Sequence, residues 1–383
     1  MQAIITGVGA WTPDNVVTNE ELVESYNAWA VRFNAENAEA IKSGDIEEKP
    51  LSSAEFIVKA SGIKRRYAYE KDGILDIDCM RPRIAQRDDA ELSHQAEMAL
   101  NAAKLAMANA AVSARDIDLV IVSCAYTQRS YPAIAIEVQN ALGIEGSGFD
   151  MLVACSAATF ALHRGVDAIK AGSSKGVLLI NPELTSPQVN YTDRDSHFIF
   201  GDVATAIVLQ GEESLVGHKG NGSSENGPQS AWKVIGTKAL TLYSNNIRSN
   251  FGYVARSEGG DPFAEDRLFH QNGRKVFKEV CPMAADHLQQ QVESAGVAVE
   301  DVRRWWLHQA NINMNQLITR KLLGGDPHPD TSPIVLDEFA NTASAGSIIA
   351  FARHNEDLQS GDYGVICSFG AGYSIGSLVV QKV

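Results

Sequence analysis

A chain of 383 residues is long enough for two domains of ordinary size, each with its own buried core. Its net charge of −14 disfavours binding to nucleic acid and to anionic membranes. No apolar run reaches the roughly 18 residues of a membrane-spanning helix, the start lacks signal-peptide features, and five cysteines without CxxC spacing argue against a disulfide framework or a zinc site. We therefore expect a cytoplasmic protein without a metal site.

Short apolar runs alternate with segments of helical periodicity along the chain. The predicted strands are 3–7, 119–123, 177–180, 204–209, 305–307, 365–368 and 375–380. The predicted helices are 91–111, 156–171, 275–295 and 313–323. This alternation indicates an α/β fold in which helices cover parallel-rich sheets and the site lies at the carboxyl ends of strands.

Three stretches stand outside this pattern. Residues 26–53 and 67–89 have no counterpart elsewhere in the chain, and insertions of this kind often shape a substrate pocket. The stretch from Gly211 to Ser230 is rich in residues that favour turns and loops. We therefore predict an amino-terminal half at 1–210, a linker at 211–231 and a carboxy-terminal half at 232–383.

The two predicted halves repeat one another in sequence. Residues 110–117 align without a gap on residues 295–302, at an offset of 185. Gly176-Val177-Leu178 aligns on Gly364-Val365-Ile366 at an offset of 188. Matches at a nearly constant offset indicate a duplicated scaffold with two pseudo-symmetric halves.

Between these matches, Ala154-Cys155-Ser156-Ala157 aligns on Ala340-Asn341-Thr342-Ala343 at an offset of 186. The register pairs Cys155 with Asn341 and sets His308 opposite Ser123. Different polar residues at equivalent loops of a duplicated scaffold predict one active site built between the halves.

Cys155 follows an apolar run and precedes a predicted helix, so the helix amides are expected to point at its sulfur. A helix amino terminus stabilises a thiolate and lowers the thiol pKa, as a nucleophile requires. A small buried core residue is an equal alternative for a cysteine in this setting. Cys124 and Cys281 lack this setting and are interpreted as core.

His308 ends the apolar strand Trp305-Trp306-Leu307, and Asn341 precedes a predicted helix. Taken singly, a structural histidine and a helix cap are good alternatives for these two residues. The pairing of Asn341 with Cys155 in the repeat favours a catalytic interpretation, because a pseudo-twofold axis would bring the two helix starts together.

Four motifs together resemble the signature blocks of the β-ketoacyl-acyl-carrier-protein synthase III family, in its longer, proteobacterial-type branch. They are Ala154-Cys155-Ser156, His308-Gln309-Ala310-Asn311, Asn341-Thr342-Ala343-Ser344 and Ser368-Phe369-Gly370-Ala371-Gly372-Tyr373. The resemblance implies a thiolase-like fold, in which two pseudo-symmetric αβ halves form five layers (αβαβα), and a homodimer.

The resemblance also implies an acyltransferase of fatty-acid biosynthesis that uses acyl-CoA and malonyl-acyl carrier protein (malonyl-ACP) and needs no cofactor. Cys155 takes the acyl group, malonyl-ACP loses carbon dioxide, and the resulting enolate attacks the acyl-cysteine. His308 Nε2 and the Asn341 amide donate hydrogen bonds to the enolate oxygen. The family's oxyanion hole maps onto the backbone N–H groups of Cys155 and Ala371, where the family has glycine, so Ala371 must adopt a backbone conformation that tolerates a Cβ.

Substrate-binding positions depart in part from the family pattern. Phe56 matches an aromatic residue that stacks on the adenine of coenzyme A, whereas Ala60 replaces an arginine of that site. Tyr131 matches an aromatic residue that closes the acyl pocket of the partner subunit. The lost charge and the two insertions suggest binding energy directed at the acyl chain, so we expect a medium-chain primer of roughly six to ten carbons, each buried methylene contributing ~0.8 kcal/mol.

Lys278, Arg320 and Lys321 match basic positions that receive the acidic carrier protein in the family, and Asn313 replaces a further arginine. An ordinary solvated helix surface is the alternative for these three side chains.

Three other functions stay open at this stage. A thiolase would need a second catalytic cysteine where this chain has Ser368, with Cys367 one residue away. An enzyme that joins two long acyl chains head to head shares the Cys, His and Asn. A non-catalytic partner subunit is the alternative of another class, although retention of all three polar residues argues against it.

Overall fold

The computed structural model describes residues 1–213, 228, 230–261, 264 and 267–383. Its strands are β1 (Ala3–Trp11), β2 (Asn15–Thr18), β3 (Arg65–Ala68), β4 (Leu119–Cys124), β5 (Ser147–Leu152), β6 (Gly176–Glu183), β7 (Val203–Gly211), β8 (Trp232–Ser244), β9 (Ile247–Arg248), β10 (His270–Gln271), β11 (Val302–Leu307), β12 (Tyr363–Gly370) and β13 (Gly372–Lys382). Its helices are α1 (Asn19–Glu36), α2 (Ala38–Ser43), α3 (Ala54–Ser61), α4 (Asp72–Leu75), α5 (His94–Asn109), α6 (Ile134–Leu142), α7 (Ala157–Lys170), α8 (Gly273–Ser294), α9 (Ile312–Leu323), α10 (Leu336–Phe339) and α11 (Gly346–Arg353).

The main sheet joins both halves of the chain. Its nine strands lie in the order β11-β12-β13-β8-β1-β7-β6-β4-β5. Strands β1, β7, β6, β4 and β5 come from the first half, and β8, β13, β12 and β11 repeat the same order in the second. The halves meet where Ile4 pairs with Lys233 and Ile5 with Trp232. The predicted linker at 211–231 lies mostly outside the described residues, and the domain boundaries stay a prediction.

Five layers follow from which sheet face each helix covers. One core cluster packs α7 and α11 between the two half-sheets, with Trp232, Trp306 and Phe351 in edge-to-face contact at its centre. A second cluster packs α5 and α6 on the outer face of the first half-sheet, and a third packs α8 and α9 on that of the second. The αβαβα arrangement is therefore the one that the family resemblance implied. Within the described part of the chain, no helix is long and apolar enough to cross a membrane.

The backbone confirms the first match of the repeat. Ala111 follows α5 with a φ of 55°, and Gly296 follows α8 with a φ of 71°. A left-handed residue just after a helix is a common way to end it. The two residues are separated by the predicted offset of 185, and the two helices therefore end in the same way.

The third match of the repeat is wrong by one residue. Val177 and Leu179 face the central core, as does Ile366, whereas Val365 and Cys367 face the outer layer. Since successive strand residues point to opposite faces, a slip of one residue exchanges core and outer positions. In the sheet, Leu179 pairs with Ile121 and Ile366 pairs with Trp306. Since Ile121 and Trp306 are separated by the offset of 185, Leu179 corresponds to Ile366, at an offset of 187 rather than 188.

Candidate active site

Cys155 lies in a tight turn that has a counterpart in the other half. The 3₁₀ turn Ala154–Ser156 begins with Ala154 at a φ of 45° and leads into α7. The 3₁₀ turn Ala343–Ala345 begins with Ala343 at a φ of 46° and leads into α11. Cys155 therefore corresponds to Ser344, and the predicted pairing of Cys155 with Asn341 is wrong by three residues.

The carboxyl end of β12 closes around the Cys155 sulfur. A Cβ on Gly370 would lie 2.5 Å from Cys155 Cβ and 3.1 Å from its Sγ, so only glycine permits this approach. The backbone N–H groups of Ala371 and of Cys155 itself lie near the sulfur and favour its thiolate form. Ala371 is not among the residues with positive φ, so its Cβ is tolerated as expected. The two amides that the resemblance assigned to an oxyanion hole thus converge on one point.

Burial sets the protonation state of the thiol. Desolvation, and to a smaller extent the charge of Glu183, raise the pKa of Cys155, and the two N–H groups lower it by less, so that the pKa is about 12. The expectation of a lowered thiol pKa is wrong, because desolvation outweighs the effect of the backbone N–H groups. Cys155 rests as a thiol, and a nucleophilic attack by its sulfur would require the proton to leave.

His308 follows β11 and is buried. Its backbone N–H donates to the carbonyl of Cys367 at 2.8 Å, and its ring packs edge-to-face on Phe369 with centroids 5.2 Å apart. Burial lowers the pKa of His308 to about 4, while the Ala343 backbone opposes that shift, so the imidazole is neutral near pH 7. Nδ1 is enclosed and has no hydrogen-bond partner among the described residues. A substrate can therefore meet only Nε2.

Asn341 is held from both sides by backbone groups. Its N–H donates to the carbonyl of Ile199 at 3.0 Å, and its Oδ1 accepts from the N–H of Ala343 at 3.0 Å. The side chain therefore stabilises its own turn and does not cap α11, which begins at Gly346. Because Oδ1 is engaged, the Nδ2 amino group is the part left for a substrate.

Two contacts bring these side chains into one site. The turn Ala154–Ser156 packs against the turn Ala343–Ala345. The end of β12 contacts Cys155 through Gly370 and His308 through Phe369. The structure thus assembles one thiol, two amide donors around it, a neutral imidazole and a primary amide.

Glu183 is a residue of this site that the sequence analysis missed. It ends β6 fully buried and accepts hydrogen bonds from Ala125 and Ser344. Burial raises the pKa of Glu183 to about 7. The available signal was an acidic residue just past the apolar strand 177–180, at the strand end where a site was expected.

A stacked pair marks the expected nucleotide position. The guanidinium carbon of Arg194 lies 3.8 Å from the ring centre of Phe56, and Arg194 Nε donates to the Leu51 carbonyl at 2.8 Å. Ala60 lacks the family's charge, as the sequence indicated, but Arg194 supplies a cation at this aromatic ring from a distant part of the chain. The Ala60 carbonyl accepts from Asn311 Nδ2 at 2.7 Å, which ties α3 to the loop after His308.

The remaining predicted residues lie on the surface and do not belong to the Cys155 site. Tyr131 is 80 % exposed. Lys278 on α8, and Arg320 and Lys321 on α9, are exposed on two helices that pack together. Arg320 forms an ion pair with Asp326 at 2.7 Å.

Two family models match the chain. The model described as 3-oxoacyl-[acyl-carrier-protein (ACP)] synthase III matches residues 149–221. The model of the carboxy-terminal part of 3-oxoacyl-[acyl-carrier-protein (ACP)] synthase III matches residues 292–382. The first contains Cys155, and the second contains His308, Asn341 and Ala371.

Similar proteins cover nearly the whole chain. A beta-ketodecanoyl-[acyl-carrier-protein] synthase of Pseudomonas aeruginosa is 48% identical over 360 residues, which is 94% of this chain and 100% of that protein. A beta-ketoacyl-[acyl-carrier-protein] synthase III of Rhodospirillum centenum is 29% identical over 390 residues, covering 100% and 99%.

Solved structures share the fold. The 3-oxoacyl-[acyl-carrier-protein] synthase III of Aquifex aeolicus superposes with a TM-score of 0.74 at 23% identity, covering 99% of each chain. OleA of Xanthomonas campestris, solved with lauric acid and lauroyl-CoA, superposes with a TM-score of 0.73 at 16% identity, covering 100% of this chain and 99% of that one.

Proposed function

Because this chain belongs to the 3-oxoacyl-[acyl-carrier-protein] synthase III family, we propose that it condenses a medium-chain acyl-CoA with malonyl-ACP, releasing carbon dioxide and a β-ketoacyl-ACP. The observation that carries the proposal is the 48% identity, over 94% of the chain, to a beta-ketodecanoyl-[acyl-carrier-protein] synthase. The protein is an acyltransferase of fatty-acid biosynthesis.

In the first half-reaction, the Cys155 sulfur attacks the carbonyl carbon of the acyl-CoA thioester. The carbonyl oxygen gains negative charge and moves between the N–H groups of Cys155 and Ala371, which already converge there. The bond to the coenzyme A sulfur then breaks, and that sulfur leaves with the proton of the thiol. An acyl-cysteine remains.

In the second half-reaction, malonyl-ACP loses carbon dioxide. The electron pair of the broken carbon–carbon bond forms an enolate, whose oxygen accepts from His308 Nε2 and Asn341 Nδ2. A neutral imidazole suits this step, since it donates a hydrogen bond without being an acid strong enough to quench the enolate. The enolate carbon attacks the acyl-cysteine, the carbon–sulfur bond breaks, and the Cys155 thiolate that is released takes a proton from solvent.

The relative's name indicates the primer length. A β-ketodecanoyl product has a ten-carbon acyl chain, and decarboxylated malonyl supplies two of those carbons, so the primer has about eight. This length falls within the range expected from the sequence. Adding six methylenes to an acetyl group offers up to ~5 kcal/mol of burial, at ~0.8 kcal/mol each.

A second copy of the chain completes the acyl pocket in this proposal. Among the described strands, β5 lies at the end of the main sheet and pairs only with β4, which leaves an open edge with Leu152 57 % exposed. An open edge that carries exposed apolar residues favours pairing with another strand. Tyr131, exposed in the single chain, would then reach the partner subunit. We place this homodimer in the cytoplasm, with malonyl-ACP docking at Lys278, Arg320 and Lys321.

The test is a kinetic series with straight-chain acyl-CoA primers of about two to twelve carbons and malonyl-ACP. We expect the highest kcat/KM near eight carbons, acyl mass on Cys155, and a Tyr131→Gly variant whose optimum moves to longer chains. The Cys155→Ala variant is the control for acyl mass. A maximum at acetyl-CoA that Tyr131→Gly leaves unchanged would contradict the primer length.

The structure bears on the thiolase alternative. Cys367 belongs to the outer core cluster and is fully buried, while the Ser368 hydroxyl is 2.8 Å from that of Ser347. No second cysteine therefore faces Cys155 from this strand. Acylation of Cys155 without malonyl-dependent condensation would favour the head-to-head alternative, and absence of acylation would favour a non-catalytic subunit.

A further inference from the structure

Glu183 is a buried ionisable side chain to which the condensation steps above give no role. Its Oε1 accepts from the N–H of Ser344 at 3.1 Å and from the Ser344 hydroxyl. Its Oε2 accepts from the N–H of Ala125 at 3.0 Å. One carboxylate thus holds together the end of β6, the segment after β4 and the turn Ala343–Ala345.

The turn that Glu183 holds is the one that orients both proposed enolate donors. The N–H of Ala343 fixes Asn341 Oδ1, and the Ala343 backbone contacts the His308 ring. Ala340 and Ala343, on either side of Asn341, have φ values of 57° and 46°. Such strained conformations of alanine persist only where the surroundings hold them. The hydrogen bonds from Ser344 to Glu183 act directly beside Ala343.

We propose that Glu183 is a positioning residue for decarboxylation, which holds His308 and Asn341 in place through Ser344 and Ala343. The inference rests on the proposed function, because that function assigns these two residues to the enolate. Glu183 itself touches no reacting atom in this scheme.

The ionisation of Glu183 makes the inference measurable. The titratable groups that feel its charge are Cys124, Tyr126 and Cys155, and burial raises the pKa of each, so all three are neutral near pH 7. His308 is neutral there as well. With a pKa of about 7, Glu183 gains charge as pH rises, and the charged form accepts all three hydrogen bonds. Decarboxylation should therefore increase as pH rises through about 7.

The first experiment isolates decarboxylation in the Cys155→Ala protein, with malonyl-CoA as the probe. We expect Glu183→Ala to lower the rate ~10-fold or more, as loss of donor geometry does. Glu183→Gln should keep more of the rate than Glu183→Ala, since its amide oxygen still accepts from Ser344. Its decarboxylation rate should no longer increase as pH rises through about 7. Asp150→Asn is the matched control: Asp150 also accepts from two backbone N–H groups, those of Ile134 and Ala135, each at 2.8 Å, and should leave the rate unchanged.

The second experiment uses the protein with Cys155 intact and follows alkylation by iodoacetamide against pH. Removing the Glu183 charge should lower the pKa of the thiol and speed alkylation at neutral pH. Glu183→Gln should thus slow decarboxylation and speed alkylation, whereas general damage to the fold would not produce this opposite pair. Equal decarboxylation with Ala or Glu at position 183 overturns the inference.

A Cys155→Ala protein that does not decarboxylate malonyl-CoA would count against the proposed function instead. In that case the His308 ring resonance, recorded by NMR with and without Glu183→Ala, decides the positioning role. A shift in Glu183→Ala that is absent in Asp150→Asn supports the inference, and an unchanged resonance overturns it.

Discussion

The two 3₁₀ turns at the centre of the molecule share a backbone and differ in chemistry. Ala154–Ser156 and Ala343–Ala345 begin at nearly the same φ and each lead into a helix of the central layer. In the first, two backbone N–H groups face a cysteine sulfur. In the second, a carboxylate accepts hydrogen bonds from the serine at the same position.

The difference shows that equivalent positions in a duplicated scaffold need not share a role. Cys155 has hydrogen-bond donors for an oxyanion, while Ser344 is completely buried and tied to Glu183. The site becomes asymmetric because the first turn carries Cys155, the proposed nucleophile, and the second anchors the segment that carries Asn341. A duplicated fold can in this way divide acyl transfer and enolate binding between its halves.

Exchanging the two side chains is the most severe test of this comparison. In a Cys155→Ser, Ser344→Cys double variant we expect no detectable acyl-enzyme, because a thiol at 344 would be enclosed beside a carboxylate, with no pair of amides for the oxyanion. Mass spectrometry after incubation with octanoyl-CoA gives the answer. Acyl mass on residue 344 would mean that the conformation of the turn, and not the residues around it, makes a cysteine reactive.

The Glu183 carboxylate, which accepts hydrogen bonds from the second turn, should also affect stability. Since the pKa of Glu183 is raised from 4.5 to about 7 in the fold, its favourable contribution is fully present below about pH 4.5 and is lost as pH rises through about 7. The loss amounts to about 3 kcal/mol of unfolding free energy. Urea unfolding of wild type and Glu183→Gln at equal protein concentration should show the variant gaining about that much, relative to wild type, between pH 4.5 and 8. A difference that does not change with pH would contradict the raised pKa.

Removing one enolate donor tests whether acylation and decarboxylation depend on different halves. His308→Ala should lower malonyl decarboxylation by ~10²-fold, the usual cost of losing a preorganised donor, yet still acylate Cys155. Cys155→Ala should do the reverse. Acyl mass and carbon dioxide release, measured separately, check both variants. If His308→Ala also failed to acylate, the two functions would not be separate.

The smallest expected effect concerns carrier binding, for which residues are predicted on the outer helices of the second half and not on those of the first. Changing Lys278, Arg320 and Lys321 to Glu should raise the KM for malonyl-ACP several-fold at low salt and leave acylation by acyl-CoA nearly unchanged. Lys104→Glu, on the exposed side of α5, is the control. An equal loss with both substrates would indicate a damaged fold.

Local patterns in the chain determined much of this architecture. All seven predicted strands lie within observed strands. The four predicted helices match α5, α7, α8 and α9 to within three residues at each end. Apolar periodicity reports these elements because each buries one face. Strand β5 escaped prediction because all of its residues are exposed or half-buried, and β8 because its second half is exposed.

The sequence by itself identified Cys155, His308 and Asn341 as candidates, together with the repeat that contains them. Tertiary structure alone paired Cys155 with Ser344, brought Glu183 to Ser344 and placed Arg194 on Phe56. It also reversed the expected direction of the thiol pKa shift. The physical reason is common to all four: contacts between residues far apart in the chain, and the loss of water around them, arise only when the layers pack, and neither leaves a periodic pattern in the sequence.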